Sequence, residues 1–323
     1  MKRTTTKPFW HGLPPGLHVT RVGRNPGFTA FVLVGAPGPV AVINGGTHGD
    51  EYEGPTVLRE LVGTLKPGKL TGTLVVIPVL HEAAFFAGLR CNPDGTNLAR
   101  VFPGDPKGNS TERLADLFRT RVLAHADYYL DLHSGGVIYD LVPWCGYIVT
   151  DMPEVNRVQA DMAACFDDYW CWASQYNPGR TLSAAAEFAV PAIYTESLGG
   201  GGVAASDRDA LNRGIDNFLK RFGFLKGKLP PLRAQPSRMA ASYDEAHIQL
   251  QHPAPIAGLF IRAVEPGDVV RKGGIIGTIH PLDGGTPVKI RAARGGSVVS
   301  LMRKGGVEPG EATATVVPIE PAG

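Results

Sequence analysis

The chain has 323 residues, of which 43% are hydrophobic and 19% charged, with Lys+Arg 32 against Asp+Glu 30. That length exceeds what one hydrophobic core usually serves, so two domains are expected, and the composition excludes a disordered chain or a small disulfide- or metal-stapled one. A formal net charge of +2 with no run of like charge leaves no footprint for a nucleic-acid backbone or an anionic membrane.

Taken in chain order, MKRTTTKPFWHGLPPG at the N-terminus places Thr, Pro and Gly where a signal peptide needs about 7 to 15 apolar residues. The longest apolar runs, such as Leu74 to Leu80, are strand-length and fall short of the roughly 18 residues of a membrane helix. A soluble, cytoplasmic protein is expected. FVLVGA (31–36), VAVIN (40–44), LVVIPVL (74–80), YYLDLH (128–133) and AIYTE (192–196) read as strands, several apolar on both faces as in a covered sheet. Helices are predicted over 54–65 and over 110–125, the latter capped by Ser110 or Thr111 with Leu114, Leu117, Phe118 and Val122 on one face. A third carries Val155, Val158, Met162 and Phe166, and a fourth, after Ser206, carries Leu211, Ile215, Phe218 and Phe222. This alternation predicts an α/β fold whose sheet is largely parallel, with helices on both faces. The four cysteines form no CxxC pair and are expected to be reduced.

The pattern changes at KGKLPPLRAQPSR (226–238), a linker signature. Beyond it, Gly258, Phe260, Val264, Gly267 and Val269 are echoed by Gly296, Val298, Met302, Gly305 and Val307. Two copies of a short β unit predict a small all-β module with approximate two-fold symmetry. The expected division is a catalytic domain over 1–235 and an all-β accessory domain over 236–323.

Chemistry concentrates in NGGTHGDEYEG (44–54), between a strand and a helix. His48 and Glu51 stand there at the short spacing of paired catalytic zinc ligands, for which a distant residue supplies the third donor. His133, ending YYLDLH before Ser134-Gly135-Gly136, is the natural third. Glu196 ends AIYTE before Ser197, Leu198 and four glycines. The carboxyl edge of an open α/β sheet is where active sites form, so these strand ends suggest one site. Taken singly, His48 could be a loop histidine, Asp131 and His133 a core pair, and Glu196 the partner of an arginine. Arg90 and Arg100 bracket a Pro-Asp-Gly turn in LRCNPDGTNLARVFPG (89–104), and paired guanidinium groups suit a carboxylate.

GGTHGDEYEG, RCNPDGTNLARVFPG, DLHSGG and YTESLGGGG, in that order and followed by a β module, resemble the succinylglutamate desuccinylase/aspartoacylase family, related to the zinc carboxypeptidases. The resemblance implies a zinc-carboxypeptidase-like fold and a zinc-dependent amidohydrolase that removes an acyl group from a small N-acylated amino acid or amine. It implies one Zn2+ per chain on His48, Glu51 and His133, Glu196 as general base, and Arg90 and Arg100 as substrate-binding groups. The implied partner is a small N-acyl substrate, with neither nucleic acid nor membrane, and a homo-oligomer is compatible. Where the family usually reads Asp-Leu-Asn-Arg, this chain has Asn97-Leu98-Ala99-Arg100, so a carboxylate-binding Asn is replaced by Ala99. A carboxypeptidase and an inactive ligand-binding member of the fold are the alternatives. The last module resembles the biotinyl/lipoyl barrel-sandwich, but HPLDGGTP (280–287) has no lysine to carry a swinging arm, and Lys289 belongs to the following strand.

Overall fold

The structure is a computed structural model that describes residues 7–232, 237–239 and 250–321. In chain order the strands are β1 Gly16–Val22, β2 Phe28–Val34, β3 Ala36–Gly45, β4 Thr71–Ile77, β5 Tyr128–Ser134, β6 Tyr139–Leu141, β7 Trp144–Val149, β8 Trp170–Gln175, β9 Ala192–Ser197 and β10 Ser237–Met239. They are followed by β11 Gly258–Arg262, β12 Val269–Val270, β13 Ile275–His280, β14 Val288–Arg291, β15 Gly296–Met302, β16 Gly306–Val307, β17 Ala314–Val317 and β18 Ile319–Pro321. The helices are α1 Glu53–Thr64, α2 Glu82–Ala87, α3 Ser110–Arg121, α4 Pro153–Ala163, α5 Thr181–Ala186 and α6 Ala205–Arg221.

A ten-stranded mixed sheet runs β1-β2-β4-β3-β5-β9-β7-β8-β10-β18. Its centre, β4-β3-β5-β9, is parallel, and β1 and β2 form an antiparallel hairpin at one edge. Period-two alternation divides the central side chains between two cores. Val42, Val75, Tyr129 and Ala192 pack with Phe118 of α3 and Leu182 of α5. Ile43, Val76, Leu130 and Ile193 pack on the other face with Val57 of α1, Met162 of α4 and Leu211 of α6. The predicted helices lie on both faces, as a covered sheet requires.

Several boundaries differ from the sequence reading. The cap of α3 is Asn109, whose side chain accepts from Thr111 N and Glu112 N, while Glu112 accepts from Asn109 N. Ser110 and Thr111 therefore stand inside the first turn of a capping box. Val122 ends that helix as its C-cap, and Phe166 lies beyond the end of α4. The strands β1, β7 and β8 are additional to the predicted set; WCGYIV and WCWASQ mix Trp, Cys, Gly and Ser and offer neither clean alternation nor an apolar run. The four cysteines are free, and no helix among the described residues is long and apolar enough to cross a membrane.

The internal repeat becomes two small sheets in which each half lends a strand to the other: β16 pairs with β11, and β12 pairs with β15. The glycines that open the two long strands are required by close approach. A Cβ at Gly258 would meet His280 O at 2.4 Å, and one at Gly296 would meet Val317 O at 2.2 Å. Two connections join this module to the preceding part of the chain. β6 pairs with β15, and β10 with β18 extends the large sheet beyond β8. Trp144 and Trp172 of that sheet accordingly share a core with Ile276, Ile279, Val298 and Leu301.

Asp140 of β6 is buried at this junction and accepts from Arg262 Nη1 at 2.6 Å and Arg303 Nη1 at 3.1 Å. Replacing Arg262 by Ala leaves the carboxylate half-paired. The expected cost is about 1–3 kcal/mol, below that of a wholly buried pair because Arg262 stays 29% exposed. Urea unfolding of the full chain checks this, and an unchanged midpoint would show that Arg303 alone satisfies Asp140.

Candidate active site

The donors converge because three neighbouring strands of the parallel centre end together. β3 ends at Gly45, and the turn that follows carries His48 and Glu51 into the start of α1. His133 and Glu196 are register partners on β5 and β9, one residue before each strand ends, and so project from the same face. Close packing fixes this turn: a Cβ at Gly49 would lie 2.1 Å from the Ala84 backbone, and one at Gly45 would lie 2.9 Å from Gly54 and Pro55.

His48, Glu51 and His133 are buried, and their ligand atoms all lie within 4.8 Å of one another. His48 Nδ1 is 2.7 Å from Glu51 Oε1, and His133 Nδ1 is 2.9 Å from Glu51 Oε2. The outer nitrogens have their own acceptors: His48 Nε2 is 3.1 Å from Asn97 Oδ1, and His133 Nε2 is 2.9 Å from Asp131 Oδ2. With each Nε2–H donating outward, a neutral imidazole turns its Nδ1 lone pair toward the carboxylate. Two lone pairs and an anion then face one point, an arrangement that a cation satisfies and that neutral hydrogen bonding cannot. Two imidazoles and one carboxylate with an open side suit a catalytic divalent metal such as zinc.

The carboxylates of the cluster favour positive charge at its centre. Burial disfavours charge on His133, but Asp131 and Glu51 outweigh it and hold the imidazole well above its usual range. Burial, followed by Arg90, lowers His48 to about 4. Burial acts to raise Glu51, yet His48 and His133 hold it well below the ordinary carboxylate range. Asp131 is fully engaged, accepting from Asn44 Nδ2 and Thr47 Oγ1 at 2.9 Å each and from Thr181 Oγ1 at 2.6 Å. It braces His133 as an outer carboxylate braces a metal-bound histidine.

A cavity of about 100 Å³ opens on the cluster. Glu196 lines it, with Oε2 buried and lacking a hydrogen-bond partner. Burial is the largest influence on Glu196 and pushes it up to about 8, with Glu51 adding to the rise and His133 and Arg90 opposing it. Arg90, Arg100 and Arg180 form a basic wall. Burial lowers Arg100 to about 10 and Arg180 to about 9, which leaves both cationic at neutral pH. Trp144, Ile148, Trp172 and Tyr194 give an apolar wall, and Trp144 Nε1 donates to Tyr194 Oη at 3.2 Å.

All six residues singled out in the sequence border this one site. Arg90 lines the cavity, and its Nη1 donates to Glu51 Oε1 at 2.9 Å. Arg100 Nη1 donates to the Ala99 carbonyl at 3.0 Å. Ala99 is buried and lines the cavity. Arg180, Trp144, Trp172, Tyr194 and Asn97 escaped the sequence reading. Tyr194 could have been found, since it stands two residues before Glu196 on the same strand and therefore on the same face.

Residues 37–222 match the succinylglutamate desuccinylase/aspartoacylase catalytic domain. The chain is 33% identical over 287 residues to the N-alpha-acetyl-L-2,4-diaminobutyric acid deacetylase of Halomonas elongata, covering 87% of this chain and 83% of that protein. Its fold is similar to that of a succinylglutamate desuccinylase from Silicibacter, with TM-score 0.87, 27% identity and coverage of 99% and 100%. It is also similar to the product-bound ectoine utilization protein EutE (DoeB) of Ruegeria pomeroyi, with TM-score 0.85, 30% identity and coverage of 94% and 96%. With its His/Glu/His cluster, the protein is a metal-dependent hydrolase of the deacylase type. The chain belongs to the succinylglutamate desuccinylase/aspartoacylase family.

Proposed function

We propose that the protein is a zinc-dependent deacylase that hydrolyses the amide of a small N-acylated amino acid or amine, with an N-acetylated diamino acid as the first candidate. The convergence of His48, Glu51 and His133 beside Glu196, whose buried Oε2 has no hydrogen-bond partner, carries this reading. The substrate class is supported by the basic and aromatic walls of a small cavity and by the deacetylase to which the chain is similar. Residues 1–235 would form the catalytic domain and 236–323 an accessory β domain.

His48, Glu51 and His133 would hold a zinc ion, which would supply Lewis acidity toward the acyl carbonyl and a water pKa of about 7. Glu196, kept near neutrality by burial, becomes a competent proton acceptor once positive charge occupies the neighbouring cluster. It takes a proton from water as the oxygen attacks the acyl carbon, then delivers that proton to the amine nitrogen as the C–N bond breaks. Arg100 and Arg180 hold an anionic group of the substrate, and Arg90 steadies Glu51 while its remaining charge faces the cavity.

Kinetics on a panel of N-acetylated diamino acids, N-acetylaspartate, N-succinylglutamate and matching uncharged amides tests the proposal. Turnover of none of them by the zinc-loaded protein would refute it. The same panel tests Ala99. An Asn there would add a hydrogen bond worth roughly 1.5–3 kcal/mol to an anion. Ala99→Asn is therefore expected to lower KM for N-acetylaspartate or N-succinylglutamate by about tenfold or more. An unchanged ranking of substrates would show that position 99 does not select among them.

A further inference from the structure

Behind the two histidines stand unlike partners, and one of them does two things. Asn97 Oδ1 lies 3.1 Å from His48 Nε2 and also accepts from Ala99 N at 2.9 Å. The second bond settles the orientation of the amide, because a backbone N–H can only donate and the atom facing it must be the carbonyl oxygen. His48 thus has an acceptor on each side, Glu51 Oε1 at 2.7 Å and Asn97 Oδ1 at 3.1 Å, and a cation bound at Nδ1 leaves the ring proton on Nε2, where Asn97 receives it. His133 is fixed in the same sense by a carboxylate, Asp131.

We infer that Asn97 is a positioning residue that sets the tautomer and ring orientation of His48 and ties this metal ligand to the turn lining the substrate cavity. Asn97 caps the short 3-10 turn Leu98–Arg100, and both Ala99 and Arg100 border the cavity. One carbonyl oxygen thus serves the metal ligand and the substrate-facing backbone together. Where the family pattern has Asp, the amide here brings no negative charge behind His48. The negative charge around the cluster comes from Asp131 and Glu51. The inference rests on His48, Glu51 and His133 being the zinc site.

The test uses the full chain stripped of metal, with zinc affinity read by competition against a chromophoric chelator. Loss of an outer partner of a metal-bound histidine typically costs about 10- to 100-fold in affinity. Asn97→Leu is expected to weaken zinc binding within that range and, by releasing the turn, to raise KM more than it lowers kcat. Asn97→Asp retains both hydrogen bonds and adds charge, so it should bind zinc as tightly as wild type or more tightly. Nitrogen-15 spectra of the zinc-loaded wild type should show His48 protonated on Nε2. An Asn97→Leu affinity within twofold of wild type, an Asn97→Asp affinity reduced tenfold, or a His48 protonated on Nδ1 would each overturn the inference. If Asn97→Leu fails to fold, the Asn97→Asp and wild-type measurements still decide. A wild-type chain without stoichiometric zinc refutes the site itself, whereas normal wild-type binding with unaffected variants refutes only the role of Asn97.

Discussion

Glu196→Gln is expected to lower kcat by about 10²- to 10⁴-fold, the usual contribution of a general base, while the protein keeps its fold and its metal. Gln is nearly isosteric, and Glu196 Oε2 has no hydrogen-bond partner to lose, so the amide fits the same buried space without breaking the cluster. It cannot take a proton from water or hand one to the departing amine. The measurement is kcat alongside zinc stoichiometry and thermal midpoint for both proteins. Near-normal turnover would remove Glu196 from the proposed role, and loss of zinc with activity would instead place it among the groups that build the site.

Removing the metal is expected to abolish hydrolysis. Carbonyl polarisation by a metal is worth several kcal/mol of transition-state stabilisation, on the order of a thousandfold or more in rate, and readdition of zinc should restore it. Stability should fall together with activity. The donors of the cluster come from segments that only folding brings together, and a ligand bound only by the folded chain stabilises by about 4 kcal/mol at a free concentration one thousand times its Kd. The thermal midpoint should therefore rise with free zinc. Elemental analysis without metal, together with activity indifferent to chelators, would refute the assignment.

Much of this was written locally in the chain. The apolar β runs, the helical spacing and the glycines after strand ends established a covered α/β sheet with its site at one edge, because period-two and 3.6-residue patterns are properties of neighbouring residues. His48, Glu51, His133 and Glu196 were legible for the same reason: each is a polar residue placed where an apolar strand stops or a turn enters a helix. The repeat at Gly258 and Gly296 likewise announced a two-fold β module, though not that its halves exchange β12 and β16.

Tertiary structure alone decided which polar groups meet. Arg90 is 39 residues from Glu51 in sequence, yet donates to it, and no local pattern announces that pairing. Trp144 and Trp172 reach the cavity only because β7 and β8 pair in parallel beside β9. Asn97 and His48 are brought together across 49 residues, and the junction at Asp140 joins side chains 122 and 163 residues distant. Propensity and periodicity act between near neighbours. The partners of a buried donor or charge are chosen by whichever groups folding desolvates together, since each must be satisfied where it comes to rest.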